Sequence, residues 1–196
     1  MNRERADQGP RLTATNAITG LRLVGSPALI VCALQDWPWG VALVVTLLVF
    51  TEWLDGFLAR RLHQQSEFGA RLDTIADASF YLSLLVALSV LFPSPIAIEL
   101  PWIIAAIGSY SLSWLVAWVR FGRLPSYHTW LAKAAWFVVG LGAVGLVAGW
   151  DARPFRVAML TVVVANLEAT LITCILRQSQ ADVPSLWHAH RARVSR

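Results

Sequence analysis

An all-α integral membrane bundle of six transmembrane helices, with both termini in the cytoplasm, is the fold class that this sequence predicts. Three observations predict it. The 196 residues are 57% hydrophobic and only 14% charged, an apolar excess that a soluble domain of this size could not cover with polar surface. The apolar residues gather into stretches close to the roughly 20 residues that a helix needs to cross a bilayer. The 16 Lys and Arg residues recur at every second break between those stretches, as the positive-inside rule requires.

The spans follow in order. The polar segment 1–15 carries Arg3, Arg5 and Arg11; it reads as a juxtamembrane segment, and no cleavable signal peptide is expected because it has no apolar core. The first span is Ile18–Leu34. The second and third, Trp39–Leu54 and Leu72–Phe92, are short of apolar residues unless the charged stretch between them extends both as helix. Trp102–Val119, Trp130–Gly149 and Phe155–Leu176 complete the six. Residues 16–177 thus form one membrane domain, and 178–196 a basic tail expected to be poorly ordered.

Orientation rests on two signals. Only Arg153 and Arg156 fall in the breaks assigned to the far side, so the termini and the charged stretch are placed in the cytoplasm. Trp37, Trp39, Trp102 and Trp150 lie on the far side near span ends, where indole rings favour the interface. The net charge of +4 sits in short juxtamembrane groups and suits anionic membrane lipids, not nucleic acid. Cys32 and Cys174 lie within spans without metal-ligand spacing and read as small buried apolar residues, with no disulfide.

Between the second and third spans runs TEWLDGFLARRLHQQSEFGARLDTIADASF, residues 51–80, with five carboxylates and three arginines. Glu52 and Asp55 are three residues apart and share a helix face; Asp73 and Asp77, four apart, share another. If two adjacent helices bring these four acids together, their charge needs compensation. All-oxygen ligation favours Mg²⁺ or Mn²⁺, with Ca²⁺ also open, and two ions sharing carboxylates would stabilise both ends of a phosphoryl transfer. Gly56 and Ala59 keep the neighbouring face bare, so that a ligand can approach the backbone. Arg60 adds a cation suited to phosphate. The plainer alternative is a solvated network in which the acids pair with Arg60, Arg61 and Arg71, with Gly56 and Ala59 there for close helix packing.

The register of these residues resembles a family. Glu52, Asp55, Gly56, Ala59, Arg60, Gly69, Asp73 and Asp77 follow the pattern D-x2-D-G-x2-A-R-x8-G-x3-D-x3-D of the CDP-alcohol phosphatidyltransferases, with Glu52 in place of the first Asp. Asn16, Thr19 and Arg22, followed by Pro27, look like that family's N-x-x-T-x-x-R lead-in. The resemblance implies displacement of CMP from CDP-diacylglycerol by an alcohol hydroxyl, in phospholipid synthesis. It implies Glu52, Asp55, Asp73 and Asp77 as metal ligands and Asp77 as general base. Gly56, Arg60 and Ser66 would contact the cytidine diphosphate, with Asn16, Thr19, Arg22, Ala59 and Gly69 around it. A bacterial inner membrane, a site facing the cytoplasm and a homodimer agree with the same resemblance.

The acceptor alcohol is less legible. The stretch DGFLARR resembles the phosphatidylglycerophosphate synthase branch and favours glycerol 3-phosphate. Thr74 and Ala78 stand where that branch carries proline and lysine, so phosphatidylglycerol, serine and inositol phosphate remain alternatives. In RFGRLPSYHTWLAK, residues 120–133, Arg120, Arg123, His128 and Lys133 are placed for an acceptor phosphate or for lipid headgroups. Lys133 is the strongest of them, because an ammonium just inside a span needs a partner. Asn166 and Glu168 are expected to make interhelical hydrogen bonds. The competing class is a non-enzymatic cation transporter or interaction module; its acids would be expected near the bilayer midplane, not at one face.

Overall fold

A computed structural model of the chain describes residues 14–62, 67–122, 127, 129–176, 178, 180 and 183–194; the side chains of residues 14, 15, 52, 53, 55–62, 67, 68, 70, 71 and 192–194 lie outside the described set. Among the described residues there are eight helices and no strand. They are α1 (Ala14–Gly25), α2 (Ala28–Leu34), α3 (Pro38–Leu62), α4 (Glu67–Leu91), α5 (Pro93–Phe121), α6 (Trp130–Val147), α7 (Arg153–Ile175) and α8 (Leu186–Val194). The chain divides into two compact units, residues 1–93 and 94–196.

Five stretches are long and apolar enough to cross a membrane: Asn16–Leu34, Leu72–Leu91, Pro93–Phe121, Trp130–Val147 and Arg153–Ile175. The expected second span is not among them, because its apolar part ends at Thr51. Glu52 and Asp55 interrupt it there. The helix itself does not stop: α3 runs 25 residues, roughly 37 Å at 1.5 Å per residue. The charged stretch therefore does extend both flanking spans as helix, up to Leu62 and again from Glu67.

In the first unit, the expected first span is two helices. Pro27 cannot donate to the carbonyl one turn back, so α1 closes at Gly25 and α2 starts at Ala28. Ser26 closes the last turn of α1: its amide and its hydroxyl both donate to the Arg22 carbonyl, at 2.9 and 2.8 Å. Gly25 permits the crossing with α3, since a Cβ there would stand 3.2 Å from a Leu48 methyl. α1 packs against both α3 and α4, and α2 does likewise, whereas α3 and α4 touch only slightly among the described residues. The two acid-bearing helices are thus held together mainly through α1 and α2, and not chiefly as direct neighbours.

Burial in this unit is inverted relative to a soluble bundle. On α1 the polar residues Asn16, Thr19, Arg22 and Ser26 are buried, while Leu21 and Val24 are exposed. On α4, Asp73 heads the inward stripe that continues through Ala76, Phe80, Leu84 and Ala87, with Ile75 and Leu82 outward. Apolar side chains facing out and polar ones facing in is what lipid as solvent selects.

The second unit holds α5–α8. α5 begins nine residues before the expected fourth span, Trp102–Val119, and reaches 29 residues with Pro101 inside it. Pro93 and Pro95 fall in its first turn, where a missing N–H costs nothing. α6 and α7 pack closely through small residues: Gly140, Gly142, Ala143 and Gly145 are buried. A Cβ on Gly142 would meet the Ala158 Cβ, the Phe155 Cα and the Pro154 carbonyl, all at 3.3 Å. The tail is not loose throughout. Residues 186–194 form α8, and Ala189 and Val183 pack with Ile172 and Leu176 of the α7 end. Cys32 is buried as expected, but Cys174 is exposed, on an apolar helix where a thiol faces lipid at little cost.

Candidate functional site

The charged site of the first unit is built by α1 and α4. Asp73 and Asp77 lie one turn apart on α4, with side chains 12% and 25% exposed. Arg22 reaches them from α1 with no exposed side-chain surface. Its Nη2 donates to Asp73 Oδ1 and forms an ion pair with Asp77 Oδ1 at 3.2 Å. One guanidinium nitrogen therefore faces two carboxylates. In so dry a place, charged groups interact more strongly than in water. Asn16 and Thr19, two turns and one turn before Arg22, share its buried face.

Of the residues singled out from the sequence, the structure thus brings Arg22, Asp73 and Asp77 into contact and aligns Asn16 and Thr19 with them. Glu52, Asp55, Gly56, Ala59 and Arg60 lie on the C-terminal half of α3, but their side chains lie outside the described residues. Ser66, Arg123 and His128 also lie outside them. Gly69 sits in the first turn of α4, four residues before Asp73. Among the described residues, no three His, Cys, Asp or Glu side chains are grouped to hold a metal ion.

Lys133 belongs to the second unit, one turn into α6, with its ammonium 5.5 Å from the Trp130 ring centroid. Thr129 caps this helix by accepting from the Ala132 amide at 3.1 Å. The Trp130 amide donates to the Pro184 carbonyl at 3.1 Å, which ties the start of α6 to the chain leading into α8. Glu168 ties the other side: its Oε1 accepts from the Leu186 amide at 3.2 Å, a carboxylate set against the positive end of α8. Asn166 donates to Ser109 Oγ at 3.0 Å, joining α7 to α5. Both residues make the interhelical bonds expected of them. Arg120 donates to the Leu176 carbonyl at 3.1 Å. Burial raises the pKa of Tyr127 above its ordinary 10.0, while the Thr173 hydroxyl donating at 3.2 Å works in the opposite direction.

Sequence reasoning missed one charged element altogether. Glu99, at 2% exposure, accepts from Arg156 Nε and Nη2 at 2.8 Å each. Glu99 lies before the expected fourth span, and its place within α5 turns it inward. A signal existed: Arg156 is one of only two bases in the far-side breaks, and an isolated base inside a span needs an acid.

Helices of this length and apolarity, with an arginine and two carboxylates turned inward, define an integral membrane protein with a buried acidic site. The profile of the CDP-alcohol phosphatidyltransferase family matches residues 12–181, and the chain belongs to that family. It is 32% identical over 164 residues to a Mycobacterium tuberculosis protein described as a probable phosphatidylglycerophosphate synthase, covering 81% of this chain and 76% of that one. Over 65 residues it is 42% identical to a CDP-diacylglycerol–glycerol-3-phosphate 3-phosphatidyltransferase of Pseudomonas fluorescens, 32% of this chain and 33% of the relative. A protein of the same name from Escherichia coli is 50% identical over 40 residues, 20% and 22% of the two chains. The match to the Pseudomonas relative thus spans about a third of that protein's length. No solved structure matches the chain significantly.

Proposed function

We propose that this protein transfers the phosphatidyl group of CDP-diacylglycerol to a hydroxyl of glycerol 3-phosphate and releases CMP, a step of phospholipid synthesis. Family membership supports the reaction class. The names of relatives, CDP-diacylglycerol–glycerol-3-phosphate 3-phosphatidyltransferase and phosphatidylglycerophosphate synthase, support the acceptor. The observation in this molecule that carries the reading is the inward pair Asp73 and Asp77, stacked on α4 beside the buried polar face of α1.

The donor set fits a divalent cation. Its atoms are carboxylate oxygens turned inward on one helix face, and oxygen ligands suit Mg²⁺ or Mn²⁺. Glu52, Asp55, Asp73 and Asp77 would hold two such ions, whose chemistry is to withdraw charge from the diphosphate as its bond breaks. Glu52 extends one methylene further than the family's usual Asp, with the same charge and ligand type, and is compatible with activity.

In the transfer, the acceptor oxygen bonds to the phosphatidyl phosphorus, the bond from that phosphorus to the CMP oxygen breaks, and the acceptor proton passes to the Asp77 carboxylate. Asn16, Thr19, Gly56, Ala59, Arg60, Ser66 and Gly69 are assigned to the cytidine diphosphate part. Lys133 supplies a cation suited to an acidic headgroup or an acceptor phosphate. Most of the acceleration then comes from alignment and electrostatics. In this reading α3 is a sixth span, both termini and the acids face the cytoplasm, and the protein resides as a homodimer in a bacterial inner membrane.

The test offers the purified protein CDP-diacylglycerol, Mg²⁺ or Mn²⁺, and glycerol 3-phosphate, phosphatidylglycerol, serine or inositol phosphate in turn. CMP release and the lipid formed are measured. Phosphatidylglycerophosphate is the expected product. A different lipid overturns the acceptor, and no CMP release with any alcohol overturns the enzyme.

A further inference from the structure

Arg22 stands at an unusual place for a residue of a substrate pocket. Its side chain is fully buried, and its backbone is fixed where the helix breaks, with both Ser26 donors on its carbonyl. One terminal nitrogen, Nη2, meets an oxygen of Asp73 and an oxygen of Asp77. A shared cationic vertex between two carboxylates is also where a bridging divalent ion draws its ligands.

We infer that Arg22 is the resident counter-cation of the Asp73–Asp77 pair, and that it and a divalent ion draw on the same carboxylate oxygens. Arg22 thereby sets how tightly the metal is held. The inference rests on the metal reading above and assigns Arg22 to the acids, as a positioning residue, instead of to the substrate.

Two physical arguments carry it. Two carboxylates one turn apart in a dry site repel each other, and Arg22, touching both, holds them facing inward. Once an ion binds, a guanidinium within reach of the same oxygens repels it and competes for their lone pairs, which weakens the site. An arginine kept only for packing has the first effect without the second. Its loss would leave the acids less ordered and the metal bound more weakly. Loss of a competing counter-cation gives the opposite sign: poorer stability without metal and tighter metal binding.

The experiment titrates Mn²⁺ into the purified full-length protein and follows free Mn²⁺ by electron paramagnetic resonance, with Mg²⁺ as competitor. Arg22→Gln is expected to bind Mn²⁺ on the order of tenfold more tightly than the wild type, and to melt at lower temperature in chelator. Arg22→Lys, which keeps the charge but loses the fork that spans both acids, is expected to fall between them, and it decides the matter if the glutamine variant does not fold. Wild-type binding with no tightening in either folded variant overturns the inference alone. No Mn²⁺ binding by the wild type or the variants overturns the metal reading and the inference together.

Discussion

Arg22 and Arg156 each carry a guanidinium from one helix to a buried acid on another, yet they meet their partners differently. Arg156 meets Glu99 as a fork, two bonds of 2.8 Å from one guanidinium to one carboxylate. Charge and hydrogen-bonding geometry are both matched, and nothing in the pair calls for another ion. Arg22 instead brings a single nitrogen to both Asp73 and Asp77. The balanced pair is an architectural joint between α5 and α7. The other sets one guanidinium nitrogen against two acids of the proposed metal site, and that difference separates a structural ion pair from a candidate site.

The comparison breaks most visibly at Asp77. Asp77→Asn removes the proposed base, and product formation should fall roughly 100- to 10,000-fold while CDP still stabilises the protein against heat. Normal turnover would place the base elsewhere. On the balanced side, Glu99→Gln keeps an acceptor but leaves Arg156 without its counter-charge. A stability loss of about 1–3 kcal/mol is expected, discounted because the Arg156 side chain is 46% exposed. Denaturation in detergent measures it. Mn²⁺ affinity and the chemical rate should be unchanged, and a shift in either would show that Glu99 is no mere joint.

A smaller effect sharpens the account of the second unit. Glu168→Ala removes the acceptor for the Leu186 amide and should cost about 1 kcal/mol. Limited proteolysis should then cut within residues 178–194 more readily than in the wild type. The smallest effects lie at the extremes of pH. Burial raises the Tyr127 pKa, so its contribution is complete below pH 10, the ordinary value, and is lost as pH rises through the folded-state value. Asp151 moves the other way: its carboxylate accepts from the Arg153 amide at 2.6 Å and from Arg153 Nε at 2.5 Å, and these bonds lower its pKa below 3.8. Its contribution is present above that value and fades as pH falls through the folded-state pKa. Melting temperatures across pH should show Tyr127→Phe altering only the alkaline limb and Asp151→Asn only the acid limb.

Much of this was legible because helical spacing survives any tertiary arrangement. Asp73 and Asp77 had to share a face, as did Asn16, Thr19 and Arg22. The all-helical class and five of the spans follow from runs of apolar residues. Which helix would face which could not be read the same way. The acids on α3 and α4 suggested direct neighbours, whereas α1 packs against both and brings its arginine with it. The expected second span failed the apolar count because the charged stretch begins at its end, polar in sequence and helical in backbone. Glu99 was lost because it precedes the expected fourth span, Trp102–Val119, whereas α5 already starts at Pro93.

The break at Pro27 and the burial of Arg22 also bear on how the protein is made. Chains enter the bilayer from the N-terminus onward, so α1 carries an arginine into the membrane long before Asp73 and Asp77 leave the ribosome. An arginine within a span is costly until it is paired, and near a span end it is relieved by reaching toward the headgroups. Arrival of α4 ends that exposure. The Arg22 contacts then join α1 to α4, two helices far apart in sequence, within residues 1–93.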